Sequence, residues 1–372
     1  MTSPFGPLFD DLLRLLHGQG PDAWFDSATQ LALSIARGSD GDPNPAPAER
    51  QRLEALTPLV ARRLDALMGV AVASEVSYVT RSGLTLAALA QWRPLLAPVL
   101  AATLPALPDA EGVDAMAQML SALGPLLMGM QLGSVAGHFS ERAWSLAALP
   151  LPRVDDERRI AVNNVAAFAE AWSLTHDEVA TFALAHEQIA SLVLTRPGTG
   201  DALRALLLDS VREAAAFQGD IVGRLRDALG DAGADVSEML AHPESLLEGL
   251  EAPADGPAAR AINAATAALL AFFDAVALEI TTAIMGPRPA LEEAYRRHRL
   301  LDARGEDAAA ALFGVATQGP HHEEARDFVA ALVADNGFGV FDALLRVDGL
   351  PSPEELAAPT QWLARVSSSP LA

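Results

Sequence analysis

The stretch Thr-His-Asp-Glu-Val-Ala-Thr-Phe-Ala-Leu-Ala-His-Glu-Gln-Ile-Ala, residues 175–190, contains a helix start followed by two residues with known chemistry. Thr175 and, three residues later, Glu178 form a capping-box pattern, in which the hydroxyl and the carboxylate satisfy free amides of the first helical turn. The apolar run after them predicts a helix that continues to about Thr195. His186 and Glu187 lie on this predicted helix.

The His186-Glu187 pair is the first half of an H-E-x-x-H pattern. In that pattern two histidines four residues apart bind Zn²⁺ from one helix face, and the glutamate acts as general base. Ala190 stands where the second histidine would be. Two matching residues occur by chance in many proteins, so the pair alone is weak evidence for a zinc site. The surrounding sequence adds to that evidence.

Two segments around the pair carry a family resemblance: Arg-Arg-Ile-Ala-Val-Asn-Asn-Val-Ala-Ala-Phe at residues 158–168, and residues 175–187. They resemble the actinobacterial zincin-like metallopeptidase type 2 family, which includes zinc-dependent metalloproteases, hydrolases and members named for coenzyme F420 biosynthesis. Other similar stretches extend the resemblance over nearly the whole chain, at residues 20–24, 58–65, 131–138 and 290–366. The resemblance implies a zincin-like helical domain, with zinc as the cofactor if the protein is active and no cofactor otherwise.

The departures from the family fall on its ligand positions. The resemblance implies a glutamate and a histidine where this chain has Leu270 and Ala275, and it leaves Asp274 as the polar residue kept on that helix. His186 and Asp274 are therefore the candidate metal ligands, and Glu187 is the catalytic base only if the protein is active. Since a zinc site takes at least three protein ligands, the sequence predicts an incomplete metal site.

The resemblance leaves two functions open. The leading interpretation is a non-catalytic protein that binds an unidentified protein or peptide partner or serves as a scaffold. Glu187 would then pair with an arginine, because a lone buried carboxylate is costly. The alternative is an active zinc-dependent hydrolase or peptidase with a rearranged ligand set, which would draw on Asp274 or Glu279 besides His186.

Composition predicts a mainly α protein with at most a few short strands. Ala, Leu, Glu and Arg dominate and only 5% of the residues are aromatic, a balance that favours helices over strands. Lysine and cysteine are absent, which excludes lysine-based catalysis and thiolate metal sites. The net charge of −22 argues against nucleic acid and anionic membranes as partners. The first residues lack the pattern of a secretory signal, so we expect a cytoplasmic protein without a membrane span.

The predicted organisation is an N-terminal helical segment and linker at residues 1–47, followed by one helical zincin-like domain at 48–372. Glycines and prolines at residues 230–258 predict a flexible excursion within that domain. Residues 158–162 are the best strand candidate. Four prolines between residues 82 and 108 predict short helices or a packed loop instead of one long helix.

Residues 115–140 carry no charge and are long enough to span a bilayer, which makes membrane association a third alternative. Their scattered polar residues favour a buried helix pair instead, with Pro125 starting or kinking the second helix. Gly129, Gly133 and Gly137 form a ridge of small residues that predicts a close approach to another helix.

Two polar clusters are predicted to be structural. His321 and His322 follow Pro320 and precede two glutamates, which is typical of a helix N-terminus. Residues 296–299, Arg-Arg-His-Arg, form the strongest basic cluster and are predicted to be a solvated helix face.

Overall fold

The computed structural model of the chain describes residues 23–39, 41–72, 74–103, 115–230, 256–300, 312–316, 320–346 and 348–368. Within these residues the fold is mainly α, as the composition predicts, with two short parallel strands and two 3₁₀ segments, Leu146–Ala148 and Phe338–Leu345. The helices are α1 (Ala23–Arg37), α2 (Pro47–Met68), α3 (Arg81–Thr103), α4 (Ala115–Arg142), α5 (Val162–Ala171), α6 (His176–Leu194), α7 (Pro197–Gly230), α8 (Pro257–Met285), α9 (Pro289–Leu300), α10 (Pro320–Asn336), α11 (Pro353–Leu356) and α12 (Pro359–Ser368).

Helix α6 begins where its capping box predicts. The Thr175 hydroxyl accepts from the Glu178 amide, and the Glu178 carboxylate accepts from the Thr175 amide. From Glu178 to Leu194 every residue of the helix is buried. A helix enclosed on all sides holds its polar side chains against protein and away from water, so each of them needs a hydrogen-bond partner within the protein.

Two short strands pair next to the candidate site. Strand β1 (Ser77–Val79) pairs in parallel with β2 (Arg159–Ala161), with Tyr78 opposite Ile160. The strand predicted at residues 158–162 is confirmed as β2, whereas β1 was not predicted. The amide of Ala161 also donates to the carbonyl of Trp144 at 2.7 Å. These bonds fix the backbone that leads into the candidate site.

The prediction of short helices at residues 82–108 is wrong. Helix α3 continues from Arg81 to Thr103 through Pro94 and Pro98, and residues 104–108 lie outside the described part of the chain. Each proline removes one helical hydrogen bond at a cost of about 3 kcal/mol. Burial of apolar side chains along the same helix, among them Trp92, offsets that cost, which local sequence signals do not register.

Residues 115–140 belong to one helix, α4, so the predicted helix pair is also wrong. The close approach predicted for the glycine ridge is confirmed, and the neighbour is α1. A Cβ on Gly133 would lie 2.7 Å from the carbonyl oxygen of Ala28, and one on Gly137 would lie 2.6 Å from Cβ of Ile35. Any larger residue at these positions would force the two helices apart.

Helix α8 lies at the centre of the core, against α6, α7 and α10. By length and composition it is apolar enough to cross a membrane, but most of its residues are buried inside the fold. Burial of this kind is typical of a core helix, so the presence of α8 does not argue for a membrane protein. The expectation that the chain has no membrane span stays a prediction.

The predicted domain division also stays a prediction. Residues 1–22 of the N-terminal segment and residues 231–255 of the predicted excursion lie outside the described residues. Within the described part, α1 packs on α3 and α4, and α2 begins at Pro47, next to the predicted boundary.

Candidate functional site

His186 and Glu187 are both buried on α6, but they contact different elements. Neighbouring residues on an α-helix point about 100° apart, so two successive side chains face different parts of the surrounding protein. Glu187 faces the segment between α4 and β2, and His186 faces α8. The structure therefore contains two polar clusters, one around each residue.

Glu187 is held by Arg153 and by the backbone. The guanidinium of Arg153 donates to both carboxylate oxygens, from Nη1 to Oε1 and from Nη2 to Oε2, each at 2.8 Å. The amide of Arg159 donates to Oε1 at 3.4 Å, and the amide of Ala147 donates to Oε2 at 3.2 Å. Each carboxylate oxygen thus accepts two hydrogen bonds, which fills the acceptor capacity of the group. The predicted pairing of Glu187 with an arginine is confirmed, and the arginine is Arg153.

His186 is hydrogen-bonded to Asp274 of α8, with Nε2 3.0 Å from Oδ1. Burial alone would raise the pKa of Asp274, but the positive charge of Arg299 and the hydrogen bond from His186 outweigh it and lower that pKa below its usual value. An ionised carboxylate can only accept, so Nε2 of His186 carries the proton and donates. The structure therefore brings together the two residues named as candidate metal ligands.

Arg299 of α9 completes this second cluster. Its Nη1 donates to Oδ2 of Asp274 at 2.6 Å, and its Nη2 lies 3.4 Å from Nδ1 of His322 on α10. Burial, followed by the charge of Arg299, lowers the pKa of His322 to about 4, so this imidazole is neutral at neutral pH. Its Nε2 faces the carbonyl of Ala316 at 3.3 Å, and Nδ1 is left to accept from Arg299. One polar chain thus joins α6, α8, α9 and α10.

The aromatic ring of Tyr295 packs against this chain, 6.0 Å from the His186 ring. Burial and the negative charge of Asp274 raise the pKa of its hydroxyl, so Tyr295 stays protonated. Arg299 lies over the same ring at 5.9 Å. The ionised Asp274 is therefore surrounded by groups that stabilise its charge.

The prediction of a solvated face at residues 296–299 is wrong for half of the cluster. Arg296 and Arg297 are exposed and pair with Glu293. His298 instead packs on the ring of Trp144, and Arg299 reaches Asp274. Residues 298 and 299 lie three and four positions after Tyr295 and so share its helix face. An aromatic residue at that spacing is the sequence signal that could have identified Arg299.

The remaining predicted positions do not complete a zinc site. Ala190, one turn after His186, and Leu270, one turn before Asp274, are buried apolar residues, and Glu279 is exposed to solvent. Within the described residues, no three His, Cys, Asp or Glu side chains are grouped so that they could hold a metal ion. The guanidinium of Arg299 already lies on Asp274. These residues do not fit a zinc ion with three protein ligands.

Two comparisons relate this chain to known proteins. The sequence model of the family described as zincin-like metallopeptidase matches residues 24–363. A crystal structure from Chloroflexus aurantiacus, described as that of "a putative hydrolase with a novel fold", is similar with a TM-score of 0.57 and 16% sequence identity. That similarity covers 93% of this chain and 99% of the other. No curated protein matches the chain.

Proposed function

Because this chain belongs to the zincin-like metallopeptidase family, we propose that it is a non-catalytic member that binds a protein or peptide partner or acts as a scaffold. The observation that carries the proposal is the environment of Glu187, whose two carboxylate oxygens accept four hydrogen bonds from Arg153, Ala147 and Arg159. A general base needs a free lone pair directed at the proton it removes. Glu187 has none, and its hydrogen bonds make it a structural link.

The second polar cluster supports the same proposal. Asp274 is paired with Arg299, and Glu187 is paired with Arg153, so both carboxylates named in the candidate site face a guanidinium of the chain itself. A guanidinium at a carboxylate opposes binding of a metal cation at the same oxygens, because the two positive charges repel each other. The two clusters hold helices and loops together, and among the described residues they leave too few free side-chain ligands for zinc.

The charge of the chain bears on the partner. With a net charge of −22 at neutral pH, the surface repels nucleic acid and anionic membranes, so the proposed partner is a protein or peptide. We keep the cytoplasm as the proposed location and the division into 1–47 and 48–372 as the proposed organisation.

The proposal is tested by metal content. Protein loaded with zinc and then dialysed extensively should retain well under one zinc per chain, measured by plasma mass spectrometry. A His186→Ala variant serves as the matched comparison and should retain as little. One tightly held zinc per chain that is lost in His186→Ala would overturn the non-catalytic proposal.

An active zinc-dependent hydrolase remains the second candidate, because His186 and Asp274 come from different helices and lie 3.0 Å apart. Its ligand set would be rearranged around these two residues, with Glu187 as the base. Hydrolysis of a peptide or ester library by the wild-type protein, abolished by Asp274→Asn and by Glu187→Gln at unchanged stability, would favour this second candidate.

A further inference from the structure

The two strands form a sheet with one closed edge. On the side of β2 that faces away from β1, the amide of Arg159 donates to Glu187 at 3.4 Å, and the amide of Ala161 donates to the carbonyl of Trp144 at 2.7 Å. These outward amides of β2 therefore have partners within the protein. The opposite edge of the sheet belongs to β1, so β2 lies between that edge and the cluster around Glu187.

The edge of β1 is open. The amide of Ser77 donates to the carbonyl of Arg158 at 2.8 Å and so faces β2, and successive residues of a strand direct their N–H and C=O groups to opposite sides. The N–H and C=O of Tyr78 therefore face away from β2. Neither group forms a hydrogen bond within the described part of the chain, and the same holds for the backbone of Val76. Residues 76–80 are each partly exposed, so water satisfies these groups in the free protein.

Side chains on both faces hold β1 in its extended form. The hydroxyl of Tyr78 lies 2.7 Å from Oγ1 of Thr57 on α2, and the hydroxyl of Ser77 donates to Oε1 of Glu157 at 3.2 Å. Together with the pairing to β2, these bonds fix the strand before any ligand arrives. A preformed edge pays little ordering entropy when another strand joins it.

The surface before the two strands is acidic. Glu75 precedes β1, and residues 155–157, Asp-Asp-Glu, precede β2, and all four side chains are exposed. Two arginines follow them, but Arg158 is buried and Arg159 pairs with Glu157. Acidic groups therefore outnumber basic ones here and lie closer to solvent. Such a surface attracts positively charged segments and repels negatively charged ones.

We propose that the open edge of β1 receives an extended segment of a partner protein as a third strand, and that this segment carries arginine or lysine. An exposed edge is a template for such strand addition, in which main-chain hydrogen bonds hold the added segment. Because β1 has only three residues, it offers few such bonds, and contacts of basic side chains with the acidic surface supply the rest of the affinity. The inference rests on the proposed function, since it names the kind of partner that the protein binds.

The probe is a fluorescein-labelled peptide of about ten residues that alternates valine and arginine, because this pattern favours an extended strand with one basic face. Fluorescence anisotropy at low ionic strength should show saturable binding to the wild-type protein. The same peptide with glutamate in place of arginine should not bind. The arginine peptide with N-methylated backbone amides should bind much more weakly, because it cannot pair with the edge. No saturable binding, or equal binding of either control peptide, would overturn the proposal.

Charge variants test the acidic surface. Glu75→Gln combined with Glu157→Gln removes two negative charges beside β1 and should raise the Kd of the arginine peptide about three- to tenfold. Asp26→Asn combined with Asp335→Asn, at exposed positions of α1 and α10, changes the net charge equally and is the matched control. This control should keep the wild-type Kd. An equal rise in both double variants would show that only the net charge matters, which contradicts a site at β1.

Amide hydrogen exchange locates the bound peptide. In the free protein the Tyr78 amide should exchange fast, whereas the neighbouring Ser77 amide, which is bonded to the carbonyl of Arg158, should exchange slowly. Saturating arginine peptide should slow exchange at Tyr78 by at least about tenfold and leave Ser77 slow. Unchanged exchange at Tyr78 while the peptide is bound would overturn the proposal.

Failure of this inference and failure of the proposed function give different results. Mass spectrometry of the peptide recovered after binding should find it intact. A cleaved peptide together with a protected Tyr78 amide would keep the third-strand site and overturn the non-catalytic function. A protein that retains no zinc and does not protect Tyr78 would overturn the third-strand site and leave the non-catalytic function in place.

Discussion

Replacement of Glu187 by glutamine separates a structural from a catalytic role for this residue. The substitution keeps the size of the side chain but removes its charge and turns one acceptor oxygen into an NH₂ donor. That NH₂ group would face a guanidinium nitrogen and a backbone amide, which are themselves donors. Arg153, only 3% of whose side chain is exposed, would be left without its counter-charge.

The expected loss is large, because both partners are buried. Removal of one partner from a buried ion pair costs about 3–5 kcal/mol. For a chain of 372 residues, that loss corresponds to a fall in Tm of roughly 4–6 °C. Urea unfolding followed by circular dichroism measures the loss in the free energy of unfolding. Glu170→Gln, at an exposed position on α5, is the control, and its free energy of unfolding should stay within about 0.5 kcal/mol of the wild type.

A double variant makes the reasoning sharper. Glu187→Leu combined with Arg153→Met replaces the ion pair by apolar side chains, and it should recover much of the stability lost in Glu187→Gln, because no charge is left buried and alone. A Glu187→Gln protein with the wild-type Tm but without a hydrolytic activity that the wild type possesses would refute the structural role. It would identify Glu187 as the general base.

Three further outcomes are expected. Gly133→Leu should destabilise the protein by about 1–3 kcal/mol in urea unfolding, because a side chain at this position would meet the carbonyl of Ala28. An unchanged urea midpoint would mean that α1 does not pack on this ridge. Burial and the charge of Arg142 lower the pKa of His298 from 6.5 to about 4. Below pH 6.5 the unfolded chain therefore binds a proton at His298 that the folded protein does not. The free energy of unfolding should fall by up to about 3 kcal/mol as the pH is lowered from 6.5 towards 4. His298→Gln should flatten that pH dependence in urea unfolding, and an equal slope in both proteins would contradict it. Arg299→Gln should cost about 1–3 kcal/mol, and adding Asp274→Asn should recover part of it; simple additivity of the two losses in a double-mutant cycle would show that the two groups do not interact.

Much of the secondary structure followed from local signals in the sequence. The capping box at Thr175 locates the start of α6 because its hydrogen bonds join residues only three positions apart. The strand at residues 158–162 and the mainly α class likewise follow from local propensity. Helix α4, which continues through Pro125, is one exception, and helix α3, which continues through Pro94 and Pro98, is another. The continuation of α3 depends on burial against distant parts of the chain, which the local preferences of proline do not take into account.

The sequence also determined which residues carry chemistry, but the partners of those residues were decided by the tertiary structure. His186, Glu187 and Asp274 could be named from a motif and a family resemblance, and the need of Glu187 for an arginine follows from the cost of burying a charge. Which arginine it would be could not be read from the sequence, because all 26 basic residues are arginines and none differs in type from the others.

Only the packing of helices selects among them. Arg153 reaches Glu187 across 34 residues, and Arg299 reaches Asp274 from the next helix, in a basic cluster whose pattern suggested solvent. A charge can be assigned from the residue type alone, whereas its compensation depends on which atoms lie within a few ångströms, and that distance is set by the fold.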